Sequence, residues 1–302
     1  MWRNLGDGSA ATWIGIARTE RFPLATKGWA SDTPRSMNRI TERFAQLAQR
    51  GEKGLVVYIG AGDPHLEATE QLALAFDKAG VDVLELGIPF SDPLADGVVN
   101  QLAAQRGLES GTTPPKVLQT VSAIRKRSQV PIVFFVYFNL LHKYGLDRFI
   151  RDAKAAGVDG LLVLDLPPEE SGNYTTLMKQ SGLAPIFLLA PTTPEERVRE
   201  IVPHGEGFLY YISREGVTGM QAKVADTIGA MTAMIRRHTA LPIAIGFGIS
   251  NPEQARQVAA YGDAIVVGSA IVHQVGEYGK STDLVNRVSG FVRSLADAIK
   301  SR

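Results

Sequence analysis

Two carboxylates carry the strongest chemical signal in this chain. Glu85 interrupts the apolar run Val83-Leu84-Glu85-Leu86-Gly87. Strand alternation places Val83, Glu85 and Gly87 on one face and Leu84 and Leu86 on the other. If Leu84 and Leu86 face covering helices, Glu85 points into the interior. A buried carboxylate is costly unless it is paired or protonated, so Glu85 belongs either to a structural ion pair or to an acid/base site. Asp96 tips that balance. It ends the loop Pro89-Phe90-Ser91-Asp92-Pro93-Leu94-Ala95-Asp96-Gly97, which follows the same run. One carboxylate on a strand and one on the next loop can bracket a small substrate, and two such groups in unlike surroundings suit general acid/base work. Asp92-Pro93 by itself reads as a turn.

A second signal lies in the back half. Gly216-Val217-Thr218-Gly219, Gly246-Phe247-Gly248-Ile249-Ser250 and Gly268-Ser269-Ala270-Ile271-Val272 each follow an apolar run. The last reads as the start of a short helix, whose free N–H groups and hydroxyl suit a phosphate. Each glycine motif alone is a turn, but three after consecutive strands form a pattern. The five histidines show no metal-ligand spacing, and the chain has no cysteine. Zinc ribbons, iron–sulfur sites, disulfide frameworks and thiolate nucleophiles are therefore excluded. Gly60-Ala61-Gly62 leads into Asp63-Pro64 and not into a helix start, so it is weak evidence for a dinucleotide site.

These residues need a scaffold. The 302 residues include 45% hydrophobic and 21% charged side chains with a net charge of +1, enough for a large core and without the field that advertises nucleic acid. No apolar run has the length of a membrane span. Short apolar runs at 55–59, 83–87, 132–137, 160–164, 185–189, 208–212, 243–247 and 264–267 predict eight strands buried on both faces. Amphipathic patterns lie between them, such as Leu72, Ala75, Phe76, Ala79 and Leu146, Phe149, Ile150, Ala153. Thr193 and Asn251, each followed by Pro, read as helix N-caps. A triple echo runs through Gly80-Val81-Asp82, Gly157-Val158-Asp159 and Gly262-Asp263, each a helix end leading into a strand. Eight such units predict an α/β fold of the (β/α)8 TIM barrel type, with sites at the C-terminal strand ends; a doubly wound open sheet is the competitor. Residues 1–36 lack sustained periodicity and a secretory apolar segment, and their acidic residues argue against a transit peptide. They are expected to form a poorly ordered extension. The catalytic domain is expected at 37–302, opening with an extra N-terminal helix through Ile40, Phe44 and Leu47.

The segment from Leu84 to Gly97 resembles the signature of the tryptophan synthase alpha chain family. Gly62-Asp63-Pro64, Asp165-Leu166-Pro167, Ser213-Arg214-Glu215-Gly216-Val217-Thr218-Gly219, Gly246-Phe247-Gly248-Ile249-Ser250 and Gly268-Ser269-Ala270-Ile271-Val272 are similar to its later blocks, in order. The resemblance implies a cytoplasmic lyase that splits indole-3-glycerol phosphate into indole and glyceraldehyde 3-phosphate. It implies that Glu85 is the acid/base, that Asp96 stabilises charge at the indole nitrogen and that Tyr210 lies beside the substrate. Tyr58, Tyr137, Leu164, Leu188 and Phe247 would line the indole pocket, and Gly219, Gly248, Gly268 and Ser269 would hold the phosphate. No cofactor or metal is implied in this chain. Pyridoxal phosphate belongs to a beta chain, met through Asp92, Pro93 and Asn139 in an alpha2-beta2 heterotetramer. Gly60, Val98-Val99-Asn100 and Leu140 depart from the family's usual residues, at places that bear on loop closure and partner contact. A free-standing indole-releasing lyase, a non-catalytic phosphate-binding barrel that activates a partner, and other phosphate-binding barrels such as epimerases are the competing readings.

Overall fold

A computed structural model describes residues 38–212 and 222–300. Eight parallel strands form one closed barrel in sequence order. The first half runs α1 (Arg39–Arg50), β1 (Gly54–Gly60), α2 (Leu66–Ala79), β2 (Val83–Gly87), α3 (Val98–Glu109), α4 (Pro114–Arg125), β3 (Ile132–Val136), α5 (Phe138–Tyr144), α6 (Leu146–Ala156) and β4 (Gly160–Val163). The second runs α7 (Gly172–Ser181), β5 (Ala184–Leu189), α8 (Glu195–Ile201), β6 (Leu209–Ile212), α9 (Ala222–Arg236), β7 (Ile243–Gly246), α10 (Pro252–Ala259), β8 (Ala264–Val267), α11 (Ser269–Tyr278) and α12 (Leu284–Lys300). The expected eight-stranded barrel is present. The expected extension at residues 1–36 lies outside the described residues, as does Met37.

Alternation sorts each strand between two cores. Leu84 and Leu86 join the large shell between barrel and helices. Val56, Val83, Val133, Leu162 and Ile186 fill the barrel interior. The extra N-terminal helix is α1, capped by Asn38, whose side chain accepts from Ile40 N–H. Its Ile40, Phe44 and Leu47 close the interior core from below, with the Phe44 and Phe208 rings 5.7 Å apart.

The triple echo is a set of three staples at the end where the strands begin. Asp82 Oδ2 accepts from Leu55 N–H, Asp159 Oδ2 from Ile132 N–H and Asp263 Oδ2 from Ile243 N–H, each at 2.8 Å. Each aspartate's own N–H donates back to the carbonyl of the same residue at 2.9 Å. The second strand of a pair thus clamps the start of the first. Each carboxylate also takes a cation: Arg43 and Lys300 on Asp82, Arg39 and Arg125 on Asp159, Arg236 on Asp263.

Of the two expected N-caps, Asn251 caps α10, accepting from Gln254 N–H at 2.9 Å. Thr193 does not cap a helix. Pro194 holds the cap position of α8, and Thr193 Oγ1 instead accepts from Ala190 N–H, because Thr193 closes the tight turn after β5. Among the described residues, no helix is long and apolar enough to cross a membrane, and no group of His, Asp and Glu side chains is arranged to hold a metal ion.

Candidate active site

At the C-terminal ends of the strands lies a cavity of about 450 Å³, within the size range of small-molecule sites. Glu85 enters it from β2, in register with Tyr58 on β1 and Val133 on β3. Its carboxyl group is fully buried, and neither oxygen has a hydrogen-bond partner. Burial pushes its pKa up to about 8. Of the two readings the sequence leaves open for Glu85, a structural ion pair is absent among the described residues.

Asp96 lines the same cavity from the loop after β2. Burial raises its pKa, while hydrogen bonds from Tyr137 and Asn100 oppose that rise. Tyr137 Oη donates to Asp96 Oδ2 at 2.8 Å and accepts from Ala95 N–H at 3.0 Å. Asn100, on the first turn of α3, turns its amide nitrogen to Asp96 Oδ1 at 3.4 Å.

Two phenols complete the acid end. Burial raises the pKa of both Tyr58 and Tyr210, and the nearby Glu85 carboxylate adds to it. Both rings lie over glycines: a β-carbon on Gly87 would stand 2.8 Å from Tyr58 Cζ, and one on Gly246 2.7 Å from Tyr210 Cε2. Any side chain there would push the phenol out of place. Gly248, Gly268 and Ser269 line the cavity as well. Gly268 precedes the first turn of α11, and Ile271 and Val272 N–H both bond back to its carbonyl. The Ser269 and Ala270 N–H groups thus belong to the open turn of a helix, which favours an anion.

The cavity therefore brings together Tyr58, Glu85, Asp96, Tyr210, Phe247, Gly248, Gly268 and Ser269. Tyr137 stands behind Asp96 and is not part of the wall. Leu164 and Leu188 pack against the interior core, because the cavity is walled by strands β1–β3 and β6–β8 and leans away from β4 and β5. Gly219, with the Ser213–Thr218 motif before it, lies outside the described residues. Asp92 and Asn139 are exposed and Pro93 is half-buried, Asp92 and Pro93 on the loop after β2 and Asn139 on the first turn of α5. Phe135, Ile212, Val266 and Asn100 also line the cavity, and sequence reasoning did not place them there. Alternation in β3 could have found Phe135, which shares a face with Val133. Asn100 carries no such signal, being a polar residue on a short helix.

Residues 44–300 match the model of the family described as tryptophan synthase alpha chain. A relative of that name from Opitutus terrae is 52% identical, over 80% of this chain and 91% of its own length. One from Geotalea daltonii is 47% identical, over 87% of this chain and 99% of its own. The crystal structure of tryptophan synthase subunit alpha from Legionella pneumophila superposes with a TM-score of 0.82 at 37% identity, covering 87% of this chain and 99% of that one. The chain belongs to the tryptophan synthase alpha chain family.

Proposed function

We propose that the chain catalyses the alpha reaction of tryptophan synthase, the lyase step that converts indole-3-glycerol phosphate to indole and glyceraldehyde 3-phosphate. One observation carries the reading: two carboxyl groups and a glycine-lined helix N-terminus open onto the same cavity. The phosphate sits on Gly248, Gly268 and Ser269, and the indole end lies between Glu85 and Asp96. With a pKa of about 8, Glu85 starts neutral at pH 7 and donates its proton to indole C3. The positive charge that then builds at the ring nitrogen faces the Asp96 carboxylate. Glu85, now ionised, takes the proton of the glycerol hydroxyl as the carbon–carbon bond breaks and its electron pair returns to the ring. The bound phosphate supplies binding energy that aligns the reacting end. The proton traffic is complete without a metal or a cofactor in this chain.

Membership in the family implies a beta chain as partner. The contact face in this reading is the outer side of the loop after β2 and the start of α5, with Asp92, Pro93 and Asn139. Beside it Leu94 and Val98 are 92% and 70% exposed, an apolar patch that a partner would cover. An alpha2-beta2 assembly, with pyridoxal phosphate confined to the beta chain, and a cytoplasmic location complete the proposal.

Indole release from indole-3-glycerol phosphate, measured on the full chain with and without a beta chain, tests it. Glu85→Gln should lower turnover by roughly 10²–10⁴-fold and Asp96→Asn by roughly 10²–10³-fold, each with the fold intact by circular dichroism. Near-normal turnover in either variant overturns the assigned roles. Full activity without a beta chain favours the free-standing lyase.

A further inference from the structure

A buried carboxylate at the catalytic end has no part in the reaction above. Asp63 follows β1 in the segment Gly60-Ala61-Gly62-Asp63-Pro64 and is 1% exposed. Both of its oxygens go to one side chain, Arg106 on α3. Arg106 Nε donates to Oδ1 at 2.7 Å and Nη2 to Oδ2 at 2.8 Å. Neither residue lines the cavity. The pair instead draws α3, the loop after β1 and α11 together behind its wall. α3 sits close on the loops after β1 and β2: a β-carbon on Gly107 would stand 2.8 Å from the Ala61 carbonyl oxygen and 3.2 Å from Pro89 Cβ. The Arg106 guanidinium also lies against Gly276 of α11, where a β-carbon would stand 3.0 Å from Nη2 and 3.2 Å from Cζ. Ala103 of α3 and Val272 of α11 pack with Tyr58 in one small apolar cluster.

The first turn of the same helix holds Asp96. Asn100 Nδ2 faces Asp96 Oδ1 at 3.4 Å, and Gln101 Nε2 donates to the Asp96 carbonyl oxygen at 2.9 Å. Asn100, Ala103 and Arg106 recur every three residues, so they follow one side of α3. A paired guanidinium–carboxylate contact fixes orientation as well as distance, and a helix carries that orientation along its axis. We infer that Arg106 is a positioning residue for Asp96: anchored on Asp63 and seated against α11, it sets where the first turn of α3 presents its two amides to the loop carboxylate. The inference rests on the role of Asp96 proposed above. In that role Asp96 meets a positive charge that builds only as indole C3 is protonated, so a misplaced Asp96 lowers kcat and leaves ground-state binding alone.

Indole release by the full chain, with a beta chain present, tests it. Arg106→Leu should lower kcat by about tenfold while KM stays within about twofold of wild type. Arg106→Lys keeps the charge but not the paired N–H fork, and should bring kcat back to within about threefold of wild type. The decisive background carries Asn100→Ala and Gln101→Ala together. There the two amides are gone, and Arg106→Leu should lower kcat by less than about twofold further. Gly276→Ala serves if the leucine variant does not fold. Alanine suits a helix better than glycine, yet its methyl group displaces the guanidinium from Asp63, so kcat should fall with KM unchanged, and only where the amides are present. Folded variants with wild-type kcat overturn the inference, and so does an equal loss in both backgrounds, because the ion pair then only braces the fold. A wild-type chain that releases no indole sinks the underlying functional reading and the inference with it, whereas normal turnover that is indifferent to Arg106 sinks only the role of Arg106.

Discussion

At the end of the barrel where the strands begin, three buried or half-buried carboxylates are held by backbone N–H groups and by cations. At the other end, among the described residues, Glu85 is buried with no partner at either oxygen, and Asp96 has a tyrosine and an asparagine amide but no cation. Both ends use the same functional group, and only the company differs. Where the carboxylate meets backbone donors and a cation, it works as a clamp between strands. Where donors are withheld, burial disfavours the charged form, and the Glu85 proton becomes movable near neutral pH. The barrel thus separates rigidity from reactivity along its axis.

The first way to break the comparison is to remove a clamp. Asp159→Ala strips Ile132 N–H of its acceptor and leaves Arg125, only 9% exposed, without its counter-ion. A loss of about 3–5 kcal/mol is expected, read from chemical denaturation, with kcat of the folded fraction near wild type. Asp263→Ala should cost less, because Arg236 is 45% exposed and its charge is solvated when the pair is broken. Equal losses in the two variants, or a kcat that falls with Asp159, would show that the two ends are not separate.

The second sharpens the comparison at the reactive end. Glu85 has a folded pKa raised to about 8 from an ordinary value of 4.5. Between those values the folded state holds a proton that the unfolded state has released, so stability falls as pH rises toward 8 and levels off above it. Glu85→Gln buries a neutral group at all pH. The variant should match wild type near pH 5 and exceed it at pH 9, by roughly 4 kcal/mol. Denaturation midpoints at the two pH values check this. A difference that stays constant with pH would mean that Glu85 is charged in the folded protein and paired.

The scaffold was legible because it rests on periodicity. Alternation around Glu85 placed Leu84 and Leu86 outward and the carboxylate inward without any long-range information. The echo at Asp82, Asp159 and Asp263 was visible too, but only as helix end and strand start. That each aspartate clamps the preceding strand depends on barrel register, which no local window contains. The same limit explains Leu164 and Leu188. Their faces are inward, as the alternation requires, yet they pack in the interior core because the cavity is off-centre. Asn100 was visible only as a departure from a pattern, since its place in the cavity wall depends on how α3 packs and not on its type. Tyr137 illustrates the opposite case, a residue assigned to the pocket wall whose hydroxyl instead reaches the loop carboxylate.

That hydroxyl provides the smallest test. Tyr137 bridges Asp96 Oδ2 and Ala95 N–H, and its ring lies 5.2 Å from Phe90 at the head of the same loop. Tyr137→Phe keeps the ring and removes one donor to Asp96. That donor opposes the upward push of burial on Asp96, so without it the carboxylate takes up a proton at higher pH. Asp96 must be ionised to face the positive ring nitrogen. The acid limb of the kcat profile should therefore move to higher pH, with a loss of roughly threefold to tenfold on that limb that fades toward higher pH. A merely structural tyrosine would lower kcat by the same factor at every pH, and a parallel displacement of the whole profile would assign Tyr137 to that role.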